Sequence, residues 1–284
     1  NREPLDVRVG MGSTLAAFFA ASGGGSVGQY GPLVHFGATI TEVLLKYIRI
    51  KFDRRVFIAC GVAGAISAGF NAPIAGVLFA HEALLRRFSI GAIAPIAVTS
   101  IVAYAANQAF FNLEPMFSLP DMPIELQPLI PFLIFTGVFS ALTAVAYMAA
   151  IRKGRELATR SQWSMPKLLL SCVVVVGAIG VVVPDVTGLG LQQINQMLDA
   201  QFGLGMLLVL LAGKIFVTAY CLNTGFFGGV FGPALFVGAA TGAVVAHVAI
   251  LVGLAPHLSY ALPVAAIAAV GGAVIGAPLT SIMI

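Results

Sequence analysis

The chain has 284 residues, of which 59% are hydrophobic and only 9% are charged, with a formal net charge of +4 and a mean hydropathy of +1.00. A soluble protein of this length needs far more charge on its surface, so the composition excludes a water-soluble domain and indicates a membrane protein. The net charge is small and spread over loops, and we interpret it as a topology signal rather than as a sign of nucleic-acid binding.

Apolar segments follow one another along the whole chain. They are expected at about 11–22, 32–48, 56–69, 74–85, 90–111, 127–151, 167–184, 203–221, 233–253, 261–275 and 278–284. A membrane-spanning helix needs roughly 20 residues, so several of these segments reach only part of the way. Polar backbone at membrane depth is tolerated only where protein or a water-filled pathway surrounds it. Broken helices therefore predict a transport protein.

The two ends of the sequence look cut. It opens "NREPLDVRVG" without an initiator methionine or a signal-peptide pattern, and it stops at "PLTSIMI" inside an apolar segment. We therefore expect residues 1–284 to be a single transmembrane domain from a longer membrane protein.

Charge bias predicts the orientation. Twelve basic residues form three clusters: Lys46, Arg49, Lys51, Arg54 and Arg55; Arg86 and Arg87; and Arg152, Lys153, Arg155, Arg160 and Lys167. The loop at about 112–128 instead carries Glu114, Asp121 and Glu125. The positive-inside rule places the basic clusters in the cytoplasm. Segments 90–111 and 127–151 then leave a basic loop and return to one, as two full spans require.

Two motifs occur twice in the same order. "GQYGPLVHFGATI" at 28–40 and "GGVFGPALFVGAATG" at 228–242 share Gly-x-x-Gly-Pro and a glycine five residues after the proline. A second pair, "CGVAGAISAGFNAPIAGVLF" and "AVGGAVIGAPLTSIMI", follows at similar distances. The repetition predicts an internal duplication, and an odd number of crossings between the copies predicts inverted halves. We expect these halves at about 10–111 and 127–284, each incomplete at its outer end.

The duplicated motif has a physical meaning at membrane depth. Glycine lets the backbone approach another group closely, and proline suits the first helical turn because its missing N–H has no partner there. Such a helix N-terminus offers unpaired N–H donors and about half a positive charge, which at 4 Å and an effective dielectric of 20 contributes about 2 kcal/mol. The motif therefore predicts an anion site without a basic side chain. The alternative is that Gly-Pro only kinks helices for packing.

These motifs, together with "FAHEALL", "CLNTGFFGGVFGPALFVGAATGA" and "GAPLT", resemble in order and spacing the CLC family of chloride channels and proton-coupled chloride exchangers. The resemblance implies an all-α, polytopic membrane bundle of tilted and broken helices in two inverted-topology repeats. It also implies a homodimer in the lipid bilayer, with one pathway per subunit. Chloride would be the transported ligand, no cofactor would be needed, and a multi-pass protein of the cell inner (plasma) membrane is expected.

The resemblance extends to site residues. The anion-binding residues that it implies are Gly28, Gln29, Tyr30 and Gly31, at the family's Gly-Arg/Lys-Glu-Gly-Pro motif, and Gly229, Val230, Phe231 and Gly232, at its Gly-x-Phe-x-Pro motif. Val230 and Phe231 would offer backbone N–H groups to the anion. The family's earlier Gly-Ser-Gly-Ile-Pro segment and its later pore tyrosine have no counterpart in this sequence, which the cut ends would explain.

Two departures from the family bear on proton coupling. Tyr30 stands at the position of the gating glutamate, with Gln29 in place of the usual basic residue, and a phenol with an ordinary pKa of about 10 is a poor proton carrier at neutral pH. Glu82 stands at the first of the family's paired glutamates, but Ala83 stands at the second, which is linked to internal proton transfer. The sequence therefore predicts passive anion conduction without tight proton coupling, with Tyr30 as a plug or as a hydroxyl donor.

Several alternatives stay open from the sequence. Other groups can support proton-coupled exchange, with Glu82 as a proton carrier rather than a structural carboxylate, or the chain can be a non-transporting scaffold. A metalloprotease pattern at His81 fails because Leu85 stands where the second histidine is required, so no metal site is expected. An intramembrane protease would need a histidine placed to activate Ser22 or Ser26, and none is indicated, so we do not expect an enzyme.

Overall fold

The computed structural model describes residues 7–47, 53–112, 116–117 and 125–284, and helices dominate this part of the chain. Its α-helices are α1 Val7–Ser22, α2 Tyr30–Tyr47, α3 Arg54–Phe70, α4 Pro73–Phe79, α5 Ile90–Phe111, α6 Leu126–Arg160, α7 Met165–Val182, α8 Leu191–Leu198, α9 Leu204–Asn223, α10 Phe231–Leu251, α11 Ala261–Ile275 and α12 Pro278–Met283. A π-helical turn, Ala80–Leu85, continues α4. The expected all-α fold is confirmed.

Six helical segments in the described residues are long and apolar enough to cross a membrane. They are Ile90–Phe111, Leu126–Arg160, Met165–Val182, Leu204–Asn223, Phe231–Leu251 and Pro256–Ile275. Large apolar side chains such as Ile90, Phe110 and Val181 are almost fully exposed on their outer faces. Since water does not solvate such a surface well, these faces fit contact with lipid acyl chains.

The expected loop position of the third basic cluster was wrong. Helix α6 continues to Arg160, so the third basic cluster lies mostly on its last turns and on the first turn of α7 rather than in a loop. Arginine, lysine, glutamate, leucine and alanine are all good helix formers, so the helix continues after the apolar run ends. Of the other charges used for orientation, Arg49, Lys51, Glu114 and Asp121 lie outside the described residues.

The structure contains two similar helical series, α1 to α4 and α9 to α12. The loops 23–29 and 224–230 have equal length, and Gly24 (φ 79°) and Gly225 (φ 110°) hold equivalent positive-φ positions. The breaks before α4 and α12 also agree, because Ala72 (φ −129°, ψ 87°) and Ala277 (φ −133°, ψ 74°) each follow a left-handed residue. The internal duplication is thus visible in backbone conformation.

The glycine five residues after each motif proline lets a helix pair pack closely. A Cβ on Gly37 in α2 would lie 2.4 Å from the carbonyl oxygen of Gly61 in α3. A Cβ on Gly238 in α10 would lie 2.7 Å from the carbonyl oxygen of Ala266 in α11. Backbone-to-backbone packing of this kind is typical of membrane helices with small residues at the contact. The contact at Gly238 holds α11 against α10, and most residues of α10 are buried.

Candidate functional site

The two copies of the Gly-x-x-Gly-Pro motif meet in the middle of the bundle. Gly28 N–H donates to the carbonyl oxygen of Gly229 at 2.7 Å, and Gly229 N–H donates to that of Gly28 at 2.5 Å. The two residues form an isolated antiparallel bridge. Since they hold the same position in their repeats, the bridge joins equivalent points of the two halves. It brings the starts of α2 and α10 together.

The close approach explains the glycine spacing. A Cβ on Gly28 would lie 2.9 Å from both the Gly229 carbonyl oxygen and the Gly232 nitrogen. On the other side, a Cβ on Gly31 would touch the Cα of Gly229 at 3.5 Å, and one on Gly232 would lie 3.3 Å from the Cα of Gly28. Both glycines of each copy therefore lie at the contact with the other copy. The glycines of the motif allow the two loops to pair, because a side chain at these positions would contact the backbone of the other loop.

The two helix starts present donor groups at this junction. The Gln29 carbonyl accepts the first helical hydrogen bond of α2 from Leu33, at 3.0 Å, and the Val230 carbonyl accepts that of α10 from Ala234, at 3.1 Å. The N–H groups of the residues that follow Gln29 and Val230 lie in the first turn of α2 and of α10. Such groups have no acceptor within their own helix. Each helix dipole adds partial positive charge at the same end. The arrangement suits a small anion without any basic side chain.

The side chain of Tyr30 is held in an aromatic cluster beside the junction. Its ring stacks on Phe70 at the end of α3, with centroids 3.8 Å apart and planes at 23°. It also meets Phe231 edge-on at 6.2 Å, and Phe231 meets Phe70 at 5.6 Å. The Tyr30 hydroxyl donates to the sulfur of Met116 at 3.6 Å, and the residue is only 4% exposed. Tyr30 thus fills space next to both helix starts.

Glu82 lies at a second junction, between α4 and α12. Its carboxylate accepts hydrogen bonds from the backbone N–H groups of Leu279 and Thr280, both at 3.0 Å, and from the Thr280 hydroxyl at 2.8 Å. A carboxylate at a helix N-terminus stabilises the helix by pairing its free N–H groups and its dipole. Glu82 thus caps the N-terminus of α12 from another segment of the chain.

Buried polar contacts fix loop 23–29 against the second repeat. Ser26 and Thr218 of α9 share a hydrogen bond of 2.8 Å between hydroxyls that are both buried. Gly188 N–H donates to the Gly24 carbonyl at 2.9 Å, and the buried Lys214 Nζ donates to the Gly188 carbonyl at 2.7 Å. Lys214 therefore stabilises the turn at Gly188, and this turn contacts loop 23–29 through Gly24.

The structure brings eight of the nine site residues named from the sequence to one place. They are Gly28, Gln29, Tyr30, Gly31, Gly229, Val230, Phe231 and Gly232. The ninth, Glu82, is at the second junction. Sequence reasoning missed Phe70, which stacks on Tyr30, and Tyr147 of α6, whose hydroxyl donates to the Val230 carbonyl at 2.9 Å. Tyr147 lies in an apolar segment far from the motifs, and Phe70 lies within the second duplicated motif, but the sequence does not show that either one contacts the first motif pair.

Proteins of similar sequence are named as chloride channels or chloride exchange transporters. A putative chloride channel protein, ClcB-like, from Ralstonia nicotianae is 28% identical over 288 residues, which cover 98% of this chain and 66% of that protein. The H(+)/Cl(-) exchange transporter ClcA of Vibrio cholerae is 31% identical over 278 residues, covering 93% of this chain and 58% of that protein. The chain thus spans less than two thirds of the length of these relatives.

Solved structures share the fold. A slow cyanobacterial Cl-/H+ antiporter matches with a TM-score of 0.87 at 20% identity, covering 100% of this chain and 68% of that one. A CLC-type fluoride/proton antiporter matches with a TM-score of 0.80 at 22% identity, covering 99% of this chain and 70% of that one. At these identities the likeness concerns the fold, and it includes the bundle of broken helices expected from the sequence.

The match to a family extends over the whole sequence. The family described as "Voltage gated chloride channel" matches residues 1–284. With the six apolar helical segments, this match makes the protein a multi-pass integral membrane protein of the inner membrane, as expected. The chain belongs to the voltage-gated chloride channel family, the CLC family.

Proposed function

We propose that the protein conducts chloride or a similar small anion passively across the membrane, along a path that passes the paired helix starts. The observation that carries this proposal is the bridge between Gly28 and Gly229, because it brings two helix N-termini side by side. Two half-charges of the same sign, with first-turn N–H donors, attract an anion yet bind it more weakly than a buried lysine. The names of the relatives support chloride as the anion.

The absence of tight proton coupling is part of the proposal. Tyr30 has no carboxylate at the position of the gating glutamate. Ala83 has no ionisable group at the position of the second glutamate, so neither residue provides a carboxylate for proton transfer. Each aromatic contact of Tyr30 is worth about 0.5–1.5 kcal/mol, so two of them hold the ring in place by about 1–3 kcal/mol. Such a ring leaves its position in roughly one molecule in six to one in 160. Tyr30 then acts as a fixed wall or a slow plug.

Proton-coupled exchange is the second candidate. It is favoured by the names of relatives, which include H(+)/Cl(-) exchange transporters, and by antiporters among the structures of the same fold. Glu82 is a carboxylate that such a route can use. His35 of α2 is another candidate, with its Nδ1 3.4 Å from the Ser13 hydroxyl. A non-transporting scaffold is the third reading, because the loss of the gating glutamate fits it too.

The proposal includes the arrangement of the chain. The two inverted halves are assigned to about 10–111 and 127–284, which the matching breaks before α4 and α12 support. The functional unit is a homodimer in the bilayer, with a separate anion pathway in each subunit. The exposed apolar side chains of α5 and α12 offer lipid-facing surface that a second copy can cover.

The test is the flux of chloride and protons from liposomes that contain the full-length protein. Passive conduction predicts chloride efflux without proton movement, and Tyr30→Glu is expected to slow the efflux or make it depend on pH. Tyr30→Phe is the matched control, because it keeps the ring contacts and removes only the hydroxyl that contacts Met116. A fixed ratio of chloride to protons in the unmodified protein would establish exchange instead, and no chloride flux in any variant would favour the scaffold.

A further inference from the structure

Tyr147 is a polar residue in the middle of α6 whose side chain is completely buried. Its ring packs among apolar residues of α9, α10 and α11, such as Ala219, Val237 and Val270. Its hydroxyl donates a hydrogen bond of 2.9 Å to the Val230 carbonyl oxygen. A hydroxyl at such depth is unfavourable unless it is hydrogen-bonded, so this contact fixes the position of the ring and of its acceptor.

The acceptor belongs to a peptide group of the candidate site. The Val230 carbonyl and the Phe231 N–H are parts of one planar trans peptide, so they point in opposite directions. A donor that holds the carbonyl on one side therefore aims the N–H to the other side. Phe231 is the first residue of α10, and its N–H is one of the groups with no acceptor in its own helix.

The same contact strengthens the N–H as a donor. The Val230 oxygen accepts from Tyr147 at 2.9 Å and from Ala234 N–H at 3.1 Å, so both of its lone pairs are used. Hydrogen bonds that share a peptide polarise one another, by about 10–30% per bond. In the first motif the Gln29 carbonyl accepts from Leu33, and no side-chain donor to it occurs among the described contacts. The two helix starts therefore differ in donor strength.

Helix α6 also holds the other end of the same loop. Asn223, the last residue of α9, donates from Nδ2 to the Ile151 carbonyl at 2.9 Å, one turn beyond Tyr147 on α6. A Cβ on Gly154, on the same stripe of α6, would lie 2.7 Å from Asn223 Nδ2. Loop 224–230 is thus fixed to α6 at the residue that precedes it and at its last residue.

We propose that Tyr147 is a positioning residue that aims and polarises the Phe231 N–H, and so sets the preference of the second helix start for strongly hydrated anions. The inference rests on the proposed function, since it concerns the same anion site. Chloride needs strong donors to replace its water, whereas thiocyanate is weakly hydrated and needs them less. Loss of the Tyr147 hydroxyl should therefore weaken chloride binding more than thiocyanate binding.

The first test is Tyr147→Phe in the full-length protein, which removes one oxygen atom and keeps the ring. Chloride and thiocyanate dissociation constants are measured by calorimetry in detergent, with a thermal melt to show that the fold is intact. Chloride affinity is expected to fall about 3- to 10-fold, the effect of one hydrogen bond, and thiocyanate affinity by less. Tyr220→Phe is the matched control, because the Tyr220 hydroxyl donates to Ser171 at 3.1 Å, away from both motifs.

A second measurement reports the peptide itself. Labelling valine at the carbonyl carbon and phenylalanine at the nitrogen selects the Val-Phe pairs, and this sequence has three, at 56–57, 138–139 and 230–231. Tyr147→Phe is expected to move the Val230 carbonyl and Phe231 N–H resonances and to leave the other two pairs in place. Tyr220→Phe is expected to move none of the three.

The outcomes separate the two proposals. If the unmodified protein binds chloride and Tyr147→Phe binds both anions as before, the positioning role is wrong and the proposed function stands. An equal loss of affinity for both anions would also overturn the inference, because it indicates a general loss of packing. If the unmodified protein binds neither anion, the proposed function fails, and the claim about anion preference fails with it.

Discussion

Glu82 and Thr280 are joined by two hydrogen bonds, from the Thr280 backbone N–H at 3.0 Å and from its hydroxyl at 2.8 Å to the same carboxylate oxygen. The two residues lie in different repeats, so this contact ties the end of the α4 segment to the start of α12. The carboxylate lies where a free anion would otherwise be attracted by the helix N-terminus. The start of α12 is thus a further helix start at a contact between the repeats, and the protein pairs it with its own side chain.

The first prediction concerns this cap. Glu82→Gln keeps the shape but removes the charge and one acceptor site, so we expect a loss of about 1–3 kcal/mol in the free energy of unfolding. The measurement is denaturant or thermal unfolding in detergent. Glu156→Gln, on the exposed end of α6, is the control and should change stability by less than about 0.5 kcal/mol. If Glu82 is a proton carrier instead, Glu82→Gln will change proton flux at unchanged stability.

The second prediction concerns the pairing of the motif loops. Gly28→Ala places a methyl group 2.9 Å from the Gly229 carbonyl oxygen and the Gly232 nitrogen, and backbone atoms cannot move aside easily. We expect a loss of about 1–3 kcal/mol in stability, together with a strong loss of chloride flux, because the two helix starts move apart. Gly137→Ala in α6 is the control, since nothing lies within 4 Å of its added Cβ. Normal flux from Gly28→Ala would show that transport does not depend on the bridge.

The amino-acid sequence predicted the close approach at the motifs but not the identity of the partner. Gly-x-x-Gly-Pro indicated a helix start near another group, and the structure shows that each copy is the partner of the other. The apolar runs at 90–111 and 261–275 coincide with α5 and α11, because turns and breaks flank them closely. Helix α8 was missed, because its sequence "LQQINQML" is amphipathic and lacks a long apolar run.

The contacts of the site that were not predicted all join distant parts of the sequence. Glu82 looked like a proton carrier or a structural carboxylate, and its capping partners Leu279 and Thr280 lie at the other end of the chain. Tyr147 and Phe70 are aromatic residues in apolar helices that also hold other aromatic residues, and there the local pattern indicates only burial. Tertiary packing alone determines which helix start each of them meets.

The third prediction concerns the ring of Tyr30. Phe70→Leu removes the stacked partner at 3.8 Å while keeping a side chain of similar volume, so a loss of only about 1.5 kcal/mol in stability is expected. If Tyr30 is a plug, loss of the stack should raise its mobility and increase passive chloride flux several-fold at a temperature well below unfolding. Phe135→Leu, on the half-exposed outer face of α6, serves as the control. A lower flux from Phe70→Leu would indicate that the ring shapes the path instead of blocking it.

The fourth prediction concerns the glycines that follow each motif proline by five residues. Gly37→Ala places a Cβ 2.4 Å from the Gly61 carbonyl oxygen, and Gly238→Ala places one 2.7 Å from that of Ala266. Each change forces a helix pair apart, so a loss of about 1–3 kcal/mol in stability is expected.

Because the two contacts lie in different repeats, the losses should add within about 0.5 kcal/mol in the double variant. Unfolding in detergent measures this, with Gly177→Ala, whose added Cβ meets nothing within 4 Å, as the control. Strongly non-additive losses would show that the two repeats do not pack independently, and that strain passes between them through the bridged motifs.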